Sequence, residues 1–188
     1  MRLSTLVRVG GAAAILAGVL RAASSFASAS SEVERQALYF IVDLLLLLGV
    51  FAAYAQNHEA VGRWGAAGFL TSVAGTLLVR SSRALPGLDL YPAGALSVAI
   101  GWALLSHAWW RTAKGPALVP VLFVLSIVTG LVGHIVSRES LSAASGVIFG
   151  AAVAGAGRQV LVGVSTGSRI KTSMVHQESA GNRQQRST

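Results

Sequence analysis

The sequence predicts an all-α protein, a polytopic transmembrane helical bundle of six helices. Three observations carry that expectation. First, 53% of the 188 residues are hydrophobic and only 12% are charged, whereas soluble domains average about 25% charged. Second, six stretches come close to the roughly 20 mostly apolar residues that a bilayer crossing requires, with short polar connectors between them. Third, these stretches lack the alternation of a barrel strand, and a backbone in lipid must satisfy its hydrogen bonds internally, which leaves the helix. The same composition excludes a soluble globule and a disordered chain. The absence of cysteine excludes a disulfide scaffold and a cysteine-ligated zinc or iron–sulfur site.

The first segment, Leu6 to Phe26, follows a basic start at Arg2 and Arg8. With Ala27-Ser28-Ala29 after it, the segment imitates a cleavable signal peptide. Arg21 breaks that pattern between the apolar run and the cleavage motif, so it reads as a retained helix. The second segment runs from Gln36 to Ala55 and the third from Val61 to Arg80, with His58 in a loop between them. Leu85-Pro86-Gly87 precedes the fourth, Leu90 to Trp110, where Pro92 sits in the first turn and its missing N–H does no harm. Gly115-Pro116 precedes the fifth, Ala117 to Val136, in which Pro120 calls for a local adjustment. The sixth is Leu141 to Leu161. Short connectors make each helix antiparallel to the next. Residues 1–161 thus read as the membrane domain, and 162–188, rich in Ser, Thr, Gln and Arg, as a disordered basic cytoplasmic tail.

Orientation follows from Lys and Arg. Six crossings put both termini on one side, which collects ten basic residues, among them Arg8, Arg63, Arg111, Lys114 and Arg158. The other side has five: Arg21, Arg35, Arg80, Arg83 and Arg138. Both termini are expected in the cytoplasm, in a bacterial inner membrane given the bias to Arg over Lys. A net charge of +8 is thus a topology signal; nucleic-acid binding would need it clustered on a soluble face. The expected partner is the lipid bilayer.

A two-helix hairpin is the candidate repeat. Leu38-Tyr39, Leu44 and Gly49 recur 52 residues later as Leu90-Tyr91, Leu96 and Gly101, and Arg8-Val9-Gly10-Gly11-Ala12 resembles Arg63-Trp64-Gly65-Ala66-Ala67. Two tyrosines opening helices at an interface also suit an aromatic belt without common ancestry.

Asp43 stands out. It lies inside the second apolar segment ahead of Leu44 to Leu48, and a carboxylate near a helix centre costs about 2.5–3.5 kcal/mol on insertion scales. At 100° per residue Tyr39, Asp43, Val50 and Tyr54 share one face, which should point into the bundle and leave most leucines to lipid. Arg21 matches its depth within a turn and shares a face with Gly10, Ala14, Gly18 and Ser25, so an Arg21–Asp43 ion pair is expected. Two roles remain open for it, a register-fixing pair or a site handling protons or cations. His134, near Arg138 and Glu139, completes an outer-half cluster of Arg21, Asp43 and His134, the candidate binding residues.

Other signals are weaker. His107 and His134 differ by roughly 22 Å in depth, too far for one haem. His107 beside Trp109 and Trp110 reads as an interface residue, and His58 and His176 belong to loop and tail. No metal or cofactor is expected. Gly163-Val164-Ser165-Thr166-Gly167 has the letters of a nucleophile elbow without its strand–turn–helix setting, and Gly155-Ala156-Gly157 lacks a βαβ context. Gly146, Gly150 and Ala154 form a small-residue face suited to close helix contact, within the chain or in a homo-oligomer. Trp102 and Phe149 read as core or lipid contacts.

Leu38-Tyr39-Phe40-Ile41-Val42-Asp43-Leu44, Gly62-Arg63-Trp64-Gly65 with Gly68-Phe69, and Leu90-Tyr91-Pro92-Ala93-Gly94 make the chain resemble small multi-pass bacterial integral membrane proteins of no assigned activity. That resemblance spans the first four segments and implies no chemistry. The expected function is that of a non-enzymatic membrane protein, structural, regulatory or lipid-interacting. The alternative is a small transporter or channel subunit whose polar cluster handles a proton, an ion or a small solute.

Overall fold

The computed structural model describes residues 3–26, 31–81, 90–113 and 117–185, with side chains except at 3, 112, 113 and beyond 163. Within them the protein is all-α, as expected, and has five helices: α1 (Leu3–Ser24), α2 (Glu32–Ser81), α3 (Tyr91–Ala113), α4 (Leu118–Ile135) and α5 (Glu139–Gln185). Arg83, Asp89, the breakers Leu85-Pro86-Gly87 and Gly115-Pro116, and the tail side chains, His176 included, lie outside the described residues.

Local chemistry sets the helix ends. The backbone N–H of Glu34 donates to Ser31 Oγ at 3.2 Å, and Arg35 N–H donates to the Ser31 carbonyl at 3.2 Å. Ser31-Glu32-Val33-Glu34 thus supplies the cap and the acidic first turn that start α2. Pro120 is the third residue of α4, inside the turn whose N–H groups have no intrahelical partner, so the adjustment expected there is not needed. Helix α4 stops in a Schellman turn. Arg138 N–H donates to the Gly133 carbonyl at 3.0 Å and Ser137 N–H to the His134 carbonyl at 3.3 Å, with Ser137 in the left-handed region at φ 51°.

The main departure from expectation concerns the second and third segments. No loop separates them, and His58 is a helical residue whose ring Nδ1 lies 3.1 Å from the Ala55 carbonyl. The 50 residues of α2 would extend about 75 Å if straight. Instead the helix breaks at one residue, Gly62, with φ 54° and ψ −154°, a region that glycine alone enters at low cost. Beyond it the chain doubles back. Tyr54 stacks on Phe69 at 4.6 Å between centroids, and Phe51 meets Phe69 edge-on at 4.9 Å. Here α2a denotes the arm before Gly62 and α2b the arm after it.

Packing closes the helices into a ring: α1 lies against α2 and α5, α2 against α3, α3 against α4, and α4 against α5. Small residues set several of these contacts. A Cβ on Gly18 would stand 2.7 Å from Ala154 N, one on Gly49 2.7 Å from the Cβ of Ala14, and one on Gly75 2.6 Å from Val98 N. Backbones therefore approach closely at several seams, as packing in lipid favours. Trp102, Phe123 and Phe149 are buried at the centre, with ring centroids 5.7 Å and 5.6 Å apart along the series. The outside is greasy: Leu44, Phe51, Leu70, Leu77, Val121 and Val128 are each at least half exposed. Four helices (residues Ser4–Ser24 of α1, α2, α4, and Glu139–Gly163 of α5) are long and apolar enough to cross a membrane.

Candidate functional site

Each antiparallel turn returns a polar residue to the same end of the ring. Asp43 lies 19 residues before Gly62 and Arg80 lies 18 after it, so the hairpin brings them level. Arg80 Nη2 and Asp43 Oδ2 are 2.5 Å apart, with the side chains 36% and 19% exposed. The Arg80 guanidinium also lies 5.1 Å from the centre of the Phe40 ring, a cation–π distance. This corrects the expected pairing, because Asp43 is ion-paired to Arg80 and not to Arg21. Depth matching favoured Arg21, since a loop between the segments would have left Arg80 at the membrane boundary.

Arg21 is nonetheless close by. Its Nη1 donates to Ser24 Oγ at 3.3 Å, and its guanidinium lies 5.9 Å from the centre of the Tyr39 ring. Gly146 of α5 faces it, and a Cβ there would come 3.6 Å from the guanidinium carbon.

Arg21, Asp43, Arg80 and His134 line one cavity of about 740 Å³, to which every helix and both arms of α2 contribute. Tyr39, Tyr91 and Ser142 add polar groups to its wall, while Leu46, Val98, Ile127 and Phe149 make its apolar part. Its lining lies wholly toward the end where α1 and α2b finish and α2a, α3 and α5 begin. At the inner limit Phe149 rests on Phe123, which is fully buried. One wall is pinned by paired serines: Ser145 Oγ donates to the Ser126 carbonyl at 2.8 Å and Ser126 Oγ to the Ser145 carbonyl at 3.1 Å. That double link ties α4 to α5 beside the cavity.

The structure thus places the three sequence-picked residues, Arg21, Asp43 and His134, around one space. Asp43 and Tyr39 line it and Val50 is buried, as the helical-wheel reading expects, but of the leucines 44–48 only Leu44 and Leu48 are exposed, and Leu46 is buried in the cavity wall. Arg80 was missed, and its signal was the near-equal spacing of residues 43 and 80 about Gly62.

Two other candidates fall elsewhere. His107 packs on Trp110 at 5.6 Å between centroids and does not line the cavity. The small-residue face of α5 is used within the chain: a Cβ on Gly150 would stand 3.0 Å from Ala22 N, and one on Gly157 would stand 2.6 Å from the Gly11 carbonyl. A homo-oligomer through Gly146, Gly150 and Ala154 would have to displace α1. No family model matches the chain, and no curated protein or solved structure matches it either.

Proposed function

We propose that the chain is a non-enzymatic integral membrane protein of bacterial type that binds a small solute or lipid in the one-sided cavity. In this reading the membrane is crossed six times, the arms of α2 counting separately. Both termini are cytoplasmic and the cavity faces the outer side. The exposed apolar surface supports the membrane setting, because a soluble monomer rarely shows apolar patches beyond a few hundred Å². Residues Gly49 and Gly101, which are 52 apart, give support to a hairpin unit, since each admits a small residue of the preceding arm, Ala14 and Ser72 respectively.

The observation that carries the binding reading is the cavity of about 740 Å³, a volume within the usual range of about 300–1,000 Å³ for small-molecule sites. Its polar groups converge over an apolar wall, again as such sites do. A second reading, a small transporter, draws on the carboxylate of Asp43 inside an apolar segment. It would require the Phe123–Phe149 contact to open.

Photolabelling in lipid nanodiscs with a diazirine-bearing alkanol tests the binding reading. Ile127 lines the cavity, whereas Val128 is 52% exposed on the outer surface. Label is expected at Ile127 in excess of Val128, and Ala95→Trp, which places a bulky ring at a lining position, should reduce that excess. Equal labelling of the two positions in the wild type would overturn the reading.

A further inference from the structure

The charges described around the cavity do not cancel. Asp43 is the one carboxylate among the described lining residues, and Arg80 is its partner. Arg21 remains. It makes a hydrogen bond to Ser24 and lies over Tyr39, but it has no ion pair among the described residues. Apart from His134, the described lining carries one net positive charge in a largely apolar setting, which is costly unless an anion offsets it.

The charge is also placed at a definite level. Arg21 lies three residues from the end of α1 and Arg80 one from the end of α2. Leu46 and Phe149 lie 14 and 10 residues inside α2 and α5. Asp43, which is level with Arg80, is 11 residues inside α2 and three before Leu46, so the apolar recess begins about one helical turn beneath the cations. The Arg21 guanidinium lies in van der Waals reach of Gly146, and a cavity of about 740 Å³ far exceeds a hydrated inorganic ion.

We propose that the cavity takes an amphiphilic monoanion, with a carboxylate or phosphodiester head held by Arg21 and an apolar body lying on Leu46, Ile127 and Phe149. Asp43 then acts as an internal competitor, occupying Arg80 so that one cation faces the ligand. The proposal rests on the binding reading above and adds the charge and shape of the ligand. A membrane lipid entering from the bilayer and a soluble amphiphile entering from water share this chemistry.

The experiment compares a diazirine-bearing alkanoic acid with the matching alkanol on the full-length protein in nanodiscs, reading label at Ile127 relative to Val128. The acid is expected to label Ile127 about tenfold more than the alkanol. Arg21→Gln should remove that preference and Arg21→Lys should keep most of it. Asp43→Asn, by freeing Arg80, should raise acid labelling, whereas a cation site would lose function. In the wild type, oleate should displace the acid and oleyl alcohol should not, which needs no variant to fold. Displacement by oleate alone assigns the lipid source, and displacement by aqueous hexanoate as well assigns the soluble one. Either result supports the class. Equal excess labelling by acid and alkanol would overturn the anion assignment and leave the binding reading standing, whereas no excess from either probe would remove both. Displacement by inorganic phosphate as effective as by oleate would overturn the amphiphile.

Discussion

Asp43 gains from Arg80 what lipid cannot supply, a counter-charge at hydrogen-bond distance. The pair is only partly shielded, at 36% and 19% exposure, so its coupling should be modest. In a double-mutant cycle with Asp43→Asn and Arg80→Gln, the two losses of stability should be non-additive by about 1–2 kcal/mol. The cycle with Arg21→Gln should show a smaller coupling, since Arg21 acts on Asp43 electrostatically without forming an ion pair with it. Denaturant titration in mixed micelles reads both cycles, and coupling confined to Arg21 would contradict the geometry. The acid was legible in the sequence because a lone carboxylate in an apolar run is costly wherever it sits. Its partner was not, since pairing between arms depends on where the chain turns, and a reading of composition places a turn only to within several residues.

At the scale of the element, α2 shows how small that error was and how much it mattered. A turn centred on residues 56–60 displaces Arg80 by two helical turns relative to Asp43, whereas a turn at Gly62 brings them level. The polar letters Gln56-Asn57-His58-Glu59 suggested a loop, yet they stay helical, with Asn57 Nδ2 donating to the Ala53 carbonyl at 3.1 Å and Gln56 Nε2 to the Val160 carbonyl at 3.0 Å. The break falls on the glycine just beyond them. A Cβ at Gly62 would meet nothing within 4 Å, so Gly62→Ala tests backbone strain without a clash. It should cost about 1–3 kcal/mol, measured as a lower unfolding midpoint in mixed micelles. A neutral result would mean that the arms can turn in another conformation. Small residues were more readable: the α5 face with Gly146 and Gly150 is a contact surface as expected, and only its partner, α1, needed the fold to be seen.

Across the whole molecule, apolar segments were legible because the rule behind them is a length and a composition. The cavity was not, since it arises where six arm ends fail to fill their common space, and no single arm records that. Sidedness can be checked directly because the chain has no cysteine of its own. In sealed, right-side-out vesicles, Ser31→Cys is expected to react with a membrane-impermeant maleimide and Glu59→Cys to react only after the vesicles are opened. The reverse pattern would invert the proposed orientation, and labelling of both from outside would remove the α2 hairpin from the bilayer.

A turn made by one residue also bears on how the chain enters the membrane. In the proposed six-crossing arrangement, with no free loop between them, α2a and α2b are expected to enter the membrane as a pair. In that pair the carboxylate of Asp43 and the guanidinium of Arg80 travel as a neutral unit. On that proposal the carboxylate would carry its counter-charge from the moment of insertion, independently of α3, α4 and α5.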